Sequence, residues 1–417
     1  MNISVGKFIG CVMIIVGSTI GAGIILLPAE VAGPGFVFAA ITMIASWALL
    51  TVTGLLLLEM SLALPVGACS FSSMAGKTLG VFGRVITWLA FLLFLYTVLW
   101  AYMAEEATLV AELFESIFAI NISNWAAAGL FTSIFGSAVF WSTKTVDDLN
   151  RGLFSVKGFL LAALIGLMLP KVEIDKLISD HSLNIAHSKY LLAALPVILC
   201  IFTYHFVIPS LRNYVGNKPK ALKWIIISGT TACLVIYLLW IVATLGTVPL
   251  FGDNSFISLK QLDHAAGGSD FAKIIIAITN SKLISWCVSG FFNIAMTTSF
   301  LGVALGLFDF LADGFKRANT RFGRFQTSLL TFIPPFIMSL IWPHGFLMAI
   351  RWAACFVAVL CLILPAIMVY YLRKHKELKS SYRAFGGNFL FAVIAIIGAI
   401  LFVLPFLTNL NLLPMLK

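Results

Sequence analysis

Eleven stretches of roughly 20 residues in this chain are almost free of charge, and a run of that length crosses the hydrocarbon core of a bilayer as one helix. They fall near residues 7–29, 36–59, 83–114, 124–143, 152–170, 190–211, 222–248, 284–313, 326–342, 346–372 and 386–408. Gly and Pro mark the joints, as at Gly33-Pro34-Gly35, Pro65, Pro170, Pro219, Pro249, Pro343 and Gly386-Gly387. The longest gap, about 249–283, leaves no room for a soluble domain. Composition agrees, since 11% of residues are charged and 61% hydrophobic, with 36 Phe and 10 Trp. A water-soluble surface cannot hide that much apolar side chain. A soluble enzyme, a nucleic-acid binder and a single-pass anchor are excluded. The chain reads as an all-α membrane protein with eleven transmembrane helices, its lipid-facing surface in contact with the bilayer.

The net charge of +10 fits basic residues held on the cytoplasmic side. With the N-terminus inside, 19 of the 27 Lys and Arg fall on the cytoplasmic side and 8 on the other, counting Lys376 inside and Lys417 outside. Lys7 ahead of an apolar run resembles a signal peptide, but the run holds a Gly cluster and leads straight into a second span. The seven Cys include no CxxC pair and read as small buried hydrophobes.

Two spans are interrupted. Span 1 carries Val16-Gly17-Ser18-Thr19-Ile20-Gly21-Ala22-Gly23, then Pro28. Each Gly weakens a helix by about 1 kcal/mol relative to Ala, and freed backbone groups survive in a membrane only inside protein or beside a cavity. A broken helix there offers amides to a carboxylate and carbonyls to a cation; close helix packing through Gly17 and Gly21 is the other reading. Span 6 carries Phe202-Thr203-Tyr204-His205-Phe206-Val207-Ile208-Pro209, about 185 residues further on. Breaks at matching places suggest two halves, spans 1–5 (1–170) and 6–10 (190–372), with span 11 (386–408) added. Five spans per half make the repeat inverted, as in secondary transporters.

The Gly-Ser-Thr-Ile-Gly-Ala-Gly element followed by Leu27-Pro28 resembles the aromatic amino acid permeases, particularly bacterial tyrosine-specific transporters. So do Leu149-Asn-Arg-Gly-Leu-Phe-Ser-Val-Lys157, Thr298-Ser-Phe-Leu-Gly-Val-Ala-Leu-Gly-Leu-Phe-Asp-Phe-Leu-Ala-Asp313 and Leu362-Ile-Leu-Pro365. The family is similar to the wider amino acid–polyamine–organocation group. The resemblance implies a leucine-transporter-like five-plus-five inverted repeat and amino acid uptake across a bacterial inner membrane, usually proton-coupled. Two departures border the implied cavity: Thr203 and Phe206 stand where relatives carry Gly, and Ala104-Glu105-Glu106-Ala107 replaces a small Gly-containing stretch in span 3.

By the same resemblance, Lys157 stands where sodium-coupled relatives hold a cation, beside the carbonyls of Gly17, Ile20 and Ala295 and the hydroxyls of Thr298 and Ser299. A lysine reaching that place makes a sodium ion redundant, and burial disfavours its charged form; proton symport with Lys157 as carrier is expected. Its other reading is a lysine that snorkels to the interface. An amino acid carboxylate is expected on the amides of Thr19–Gly23, with Ser18, Thr19, Gly21, Ala22 and Gly23 around it. Its ammonium would meet carbonyls of the span 6 break, and its side chain would face Tyr96, Phe202, Tyr204, Phe206, Ser299 and Val303, with Thr203 and His205 adjoining. Tyr96 is preferred to Tyr102 as the cavity residue. Glu105 and Glu106 read either as solvated at the extracellular mouth or as acids of the transport cycle. Glu59 reads as a brace for broken-helix amides, and Asp309 and Asp313 as partners of Lys316 and Arg317. No HExxH, Walker A loop, Cys/His cluster or GxSxG occurs, so no metal, cofactor or bond-making chemistry is expected. Sodium-coupled or exchange transport of another large neutral amino acid is the alternative; a channel or substrate-sensing protein is more distant.

Overall fold

The computed structural model describes residues 3–67, 69–262, 267–317, 320–374, 378–410 and 412–416; Lys376 and Lys417 of the charge count lie outside them. Among the described residues the chain is helical, without strands. Eight helices among the described residues are long and apolar enough to cross a membrane, and a bent pair near the N-terminus makes up to nine. That pair is α1 (Val5–Thr19) and α2 (Gly23–Val31), bent by 61°. There follow α3 (Phe36–Leu62), α4 (Phe71–Phe118), α5 (Asn124–Trp141) and α6 (Thr143–Met168). The second half holds α7 (Leu191–Ile201), α8 (Ile208–Val215), α9 (Pro219–Leu245), α10 (Gly268–Thr279) and α11 (Lys282–Gly314). The chain ends in α12 (Arg321–Ile341), α13 (Phe346–Val357), α14 (Leu364–Lys374) and α15 (Asn388–Asn409). The fourth and ninth expected spans are the helices α5 and α12, which are not among those eight.

The span 1 break has a local cause. Ser18 and Thr19 hydroxyls both donate back to the Ile15 carbonyl, at 2.9 and 2.7 Å, a local bonding that weakens and bends a helix. Ile20 then leaves helical geometry, and the helix restarts at Gly23. In α2, Pro28 has no N–H for the Ile24 carbonyl, and the Trp240 indole of α9 donates to that carbonyl instead, at 2.9 Å. The α7 helix stops at Ile201, residues 202–204 turn, and a 3₁₀ turn at His205–Val207 leads into α8, where Pro209 suits a first turn. The two breaks lie together, with α2 packed along α7 and α1 touching the 3₁₀ turn. Around them stand α3, α4, α6, α9 and α11, the last packed closely on α4 and α6. Gly80 of α4, at φ +70°, takes residues 71–79 off the axis of the longer helix. In span 10 a π-helical stretch, Ala358–Ile363, separates α13 from α14 just before Pro365.

Buried charges tie both ends of the bundle. At one end Glu30 of α2 pairs with Lys260 and, at 2.9 Å, with Arg351 of α13. There His181 also meets the Gly33 carbonyl at 2.9 Å. At the other end Arg373 holds both oxygens of Glu59, at 2.8 and 2.7 Å. Arg212 of α8, fully buried, donates to the carbonyls of Ser61, in the last turn of α3, and of Leu64 just beyond it.

Candidate functional site

The groups expected at the span 1 break divide into those the fold gathers and those it sends elsewhere. Lys157 lies in the middle of α6, because the helix starts at Thr143, nine residues before the apolar run. Only 4% of its surface is exposed. Its ammonium donates to the Ile20 carbonyl at 3.0 Å and to Thr298 Oγ1 at 3.4 Å, so the side chain turns into the protein rather than toward an interface. Thr298 in turn donates to the carbonyls of Ile294 and Ala295, at 2.8 and 3.1 Å. Gly17 faces the Phe154 ring, one helical turn before Lys157 on α6.

On the amide side of the break, Ala22 N–H donates to Ser299 Oγ at 3.1 Å. The Tyr102 hydroxyl approaches the same Ser299. Gly21 lies against both, since a Cβ there would sit 3.0 Å from Ser299 Oγ and 3.9 Å from the Tyr102 hydroxyl. Gly23 abuts Ile201 at the end of α7, and Val303 follows Ser299 by one turn on α11. Loss of the Ala22 hydrogen bond is worth about 1 kcal/mol, or roughly fivefold in an equilibrium. Gly21→Ala displaces Ser299, and uptake kinetics are therefore expected to show KM raised by about that factor at normal protein abundance. An unchanged KM would separate Ser299 from the break.

Other expected lining residues face away. Tyr96 donates to the Leu330 carbonyl of α12 at 2.7 Å, so the tyrosine of α4 at the break is Tyr102, not Tyr96. The Tyr204 hydroxyl crosses to the Leu50 carbonyl of α3 at 3.2 Å, over Gly54, where a Cβ would lie 1.9 Å from it. His205 Nε2 meets Thr53 Oγ1 of α3 at 2.9 Å. Both side chains serve the junction with α3, because the turn after Ile201 swings them off the α7 face. Phe206 sits in a cluster with Phe71, Phe91 and Phe94. Thr203 bonds back to the Leu199 carbonyl at 3.1 Å. Phe202 packs edge-on against Tyr237 of α9, with centroids 5.2 Å apart.

The carboxylates also move from their expected places. Glu105 is buried and accepts from Ser269 N–H at 2.9 Å, holding the start of α10. Glu106, equally buried, accepts from Thr297 at 3.1 Å. Neither is solvated. Glu59 grips Arg373 and the Ala384 amide rather than amides of a broken helix. Asp309 faces Arg324, Lys316 meets Asp313 only through the backbone, and Arg317 turns to Gln326. Sequence reasoning missed Tyr237, whose hydroxyl lies on the Thr19 and Ile201 carbonyls at 2.8 and 2.7 Å. It also missed Glu30 with Arg351, whose signal is a charge inside an apolar run.

A multi-pass helical bundle, with a bent helix at its centre and a buried lysine on the bend, defines a membrane transporter fold. A mutant form of the manganese transporter of Eremococcus coleocola has this fold, with a TM-score of 0.61 over 96% of this chain and 86% of that one, at 13% identity. Residues 5–405 match the tryptophan/tyrosine permease family, and the chain belongs to it. Similar relatives include the tyrosine-specific transport system 1 of Haemophilus influenzae, 33% identical over 98% of each chain. The tryptophan-specific transport protein of Pseudomonas aeruginosa is also 33% identical, over 98% of this chain and 96% of its own. The family is one of permeases, not enzymes.

Proposed function

We propose that the chain imports an aromatic amino acid, tyrosine in the first place, by proton symport with alternating access. The observation that carries this reading is the junction at the span 1 break. A buried lysine holds the Ile20 carbonyl on one side, and the Ala22 amide points at a side-chain hydroxyl on the other. An amide suited to a carboxylate and a carbonyl that holds a proton-exchanging cation thus lie two residues apart on one stretch of backbone. Relatives named for tyrosine and for tryptophan are equally similar, which makes tryptophan the second substrate reading. The proposed architecture has eleven spans, a five-plus-five inverted repeat over 1–170 and 190–372, and an added span at 386–408. It lies in a bacterial inner membrane with the N-terminus inside, following the distribution of Lys and Arg.

Competition in proteoliposomes tests the substrate. Unlabelled tyrosine, tryptophan and phenylalanine are expected to displace labelled tyrosine, and preloaded substrate to drive counterflow. If neither aromatic nor branched amino acids compete, the substrate reading fails even though the fold stands. Uptake without counterflow would point to a channel.

A further inference from the structure

We infer that Tyr237 is a positioning residue that holds the two helix breaks at the separation an amino acid's ammonium group bridges; this rests on the proposed function above. Tyr237 belongs to α9, outside both broken spans, and is fully buried. Its hydroxyl oxygen lies 2.8 Å from the Thr19 carbonyl of span 1 and 2.7 Å from the Ile201 carbonyl of span 6. A phenol has one proton. The Thr19 carbonyl also accepts from Gly21 N–H at 2.9 Å. Whenever the phenol proton turns to Thr19, it is therefore the Ile201 carbonyl, which has no other donor among the described residues, that is short of a partner, a costly state inside a protein. A further donor relieves it.

Because both carbonyl oxygens converge on one hydroxyl oxygen, at 2.8 and 2.7 Å, an ammonium nitrogen set beside that hydroxyl can reach each of them at hydrogen-bond length, about 2.9 Å. Its third N–H then points at the Tyr237 oxygen, which still has a lone pair to accept it. The direction of the hydroxyl is set by the Tyr237 ring, held edge-on by Phe202 of the span 6 break, at an interplanar angle of 89°. Without the hydroxyl, two oxygens of like partial charge lose their bridging proton and separate. The ammonium then reaches only one of them. The ligand class this selects is a primary α-ammonium; an analogue lacking the amino group gains nothing from the pair.

The neighbouring Trp240 supplies a control. It ties α9 to the Ile24 carbonyl of α2 at 2.9 Å and, among the described residues, makes no hydrogen bond to span 6. In proteoliposomes, tyrosine and its des-amino analogue, hydroxyphenylpropionate, compete with labelled tyrosine, and the ratio of their inhibition constants reports what the ammonium contributes. Tyr237→Phe keeps the ring and is expected to lower that ratio at least tenfold, while Trp240→Phe leaves it as in the wild type. An unchanged ratio in Tyr237→Phe, or tighter tyrosine binding, overturns the assignment. If the Phe variant does not reach the membrane, Tyr237→His, which keeps a ring donor, carries the test. It is expected to retain most of the preference, and its loss of that preference at normal abundance overturns the assignment too. A wild-type protein blind to both tyrosine and tryptophan overturns the aromatic substrate reading on which this rests, whereas an unchanged ratio removes Tyr237 alone.

Discussion

A Lys157→Ala transporter is expected to stop accumulating substrate under an imposed pH gradient while still exchanging it across the membrane. Lys157 is the only cation hydrogen-bonded to the span 1 break among the described residues, and no carboxylate pairs with it there. Its charge is balanced by the Ile20 carbonyl and the Thr298 hydroxyl, both neutral dipoles. A single charge held this way in a membrane protein is costly, and such residues mark ion or proton pathways. With one proton moved per substrate, a gradient of one pH unit sustains accumulation of about tenfold, since tenfold corresponds to about 1.4 kcal/mol. The alanine variant is expected to settle near equal concentrations inside and out. Counterflow should persist, because the Ala22 amide and Ser299 remain in place. The measurement clamps the membrane potential and imposes either a proton or a sodium gradient. Uptake driven by sodium alone, or undiminished pH-driven accumulation in the variant, would remove Lys157 from the coupling step.

Where the helices run was written plainly in the sequence, because a bilayer demands long apolar windows and few other structures produce them. The break in span 1 was also legible: three glycines in seven residues, with Ser18 and Thr19 beside them, leave the ladder weak at one place. The start of α6 was not, since residues 143–151 are polar and extend the helix beyond its apolar part. That extension is why Lys157 lies deeper than the apolar window implied. Side-chain directions after Ile201 were hidden for a different reason. Helical periodicity tells which face a residue occupies only while the helix continues, and Tyr204, His205 and Phe206 follow the point where it stops. Tyr237 and Trp240 sit in an uninterrupted apolar run, where an aromatic ring looks like packing whatever its hydroxyl or indole N–H does. Glu30 and Arg351 are 321 residues apart, and nothing in either neighbourhood names the other as partner.

That pair carries the largest expected effect on stability. The Glu30 side chain, 2% exposed, joins α2 to the short helix Phe256–Lys260 and to α13 through Lys260 and Arg351. Glu30→Gln keeps the shape but leaves two cations against a neutral amide. Breaking a buried ion pair from one side costs about 3–5 kcal/mol, because the abandoned charge stays desolvated. A fall in melting temperature of about 5 °C or more in detergent is therefore expected. Glu59→Gln should cost less, since Arg373 keeps the carbonyls of Ala384 and Gly386 as acceptors. The decisive comparison is the triple variant Glu30→Met, Lys260→Met, Arg351→Leu. Replacing a buried charge cluster by apolar side chains of similar size is often neutral or stabilising, so the triple variant should regain the melting temperature that Glu30→Gln loses. If the cluster only fastens this end of the bundle, transport returns with stability. If its making and breaking is part of the transport cycle, the triple variant is stable but slow, because three apolar side chains have no water-exposed state to favour opening. Equal melting temperatures for wild type and Glu30→Gln would show that the cluster does not fasten this end of the bundle.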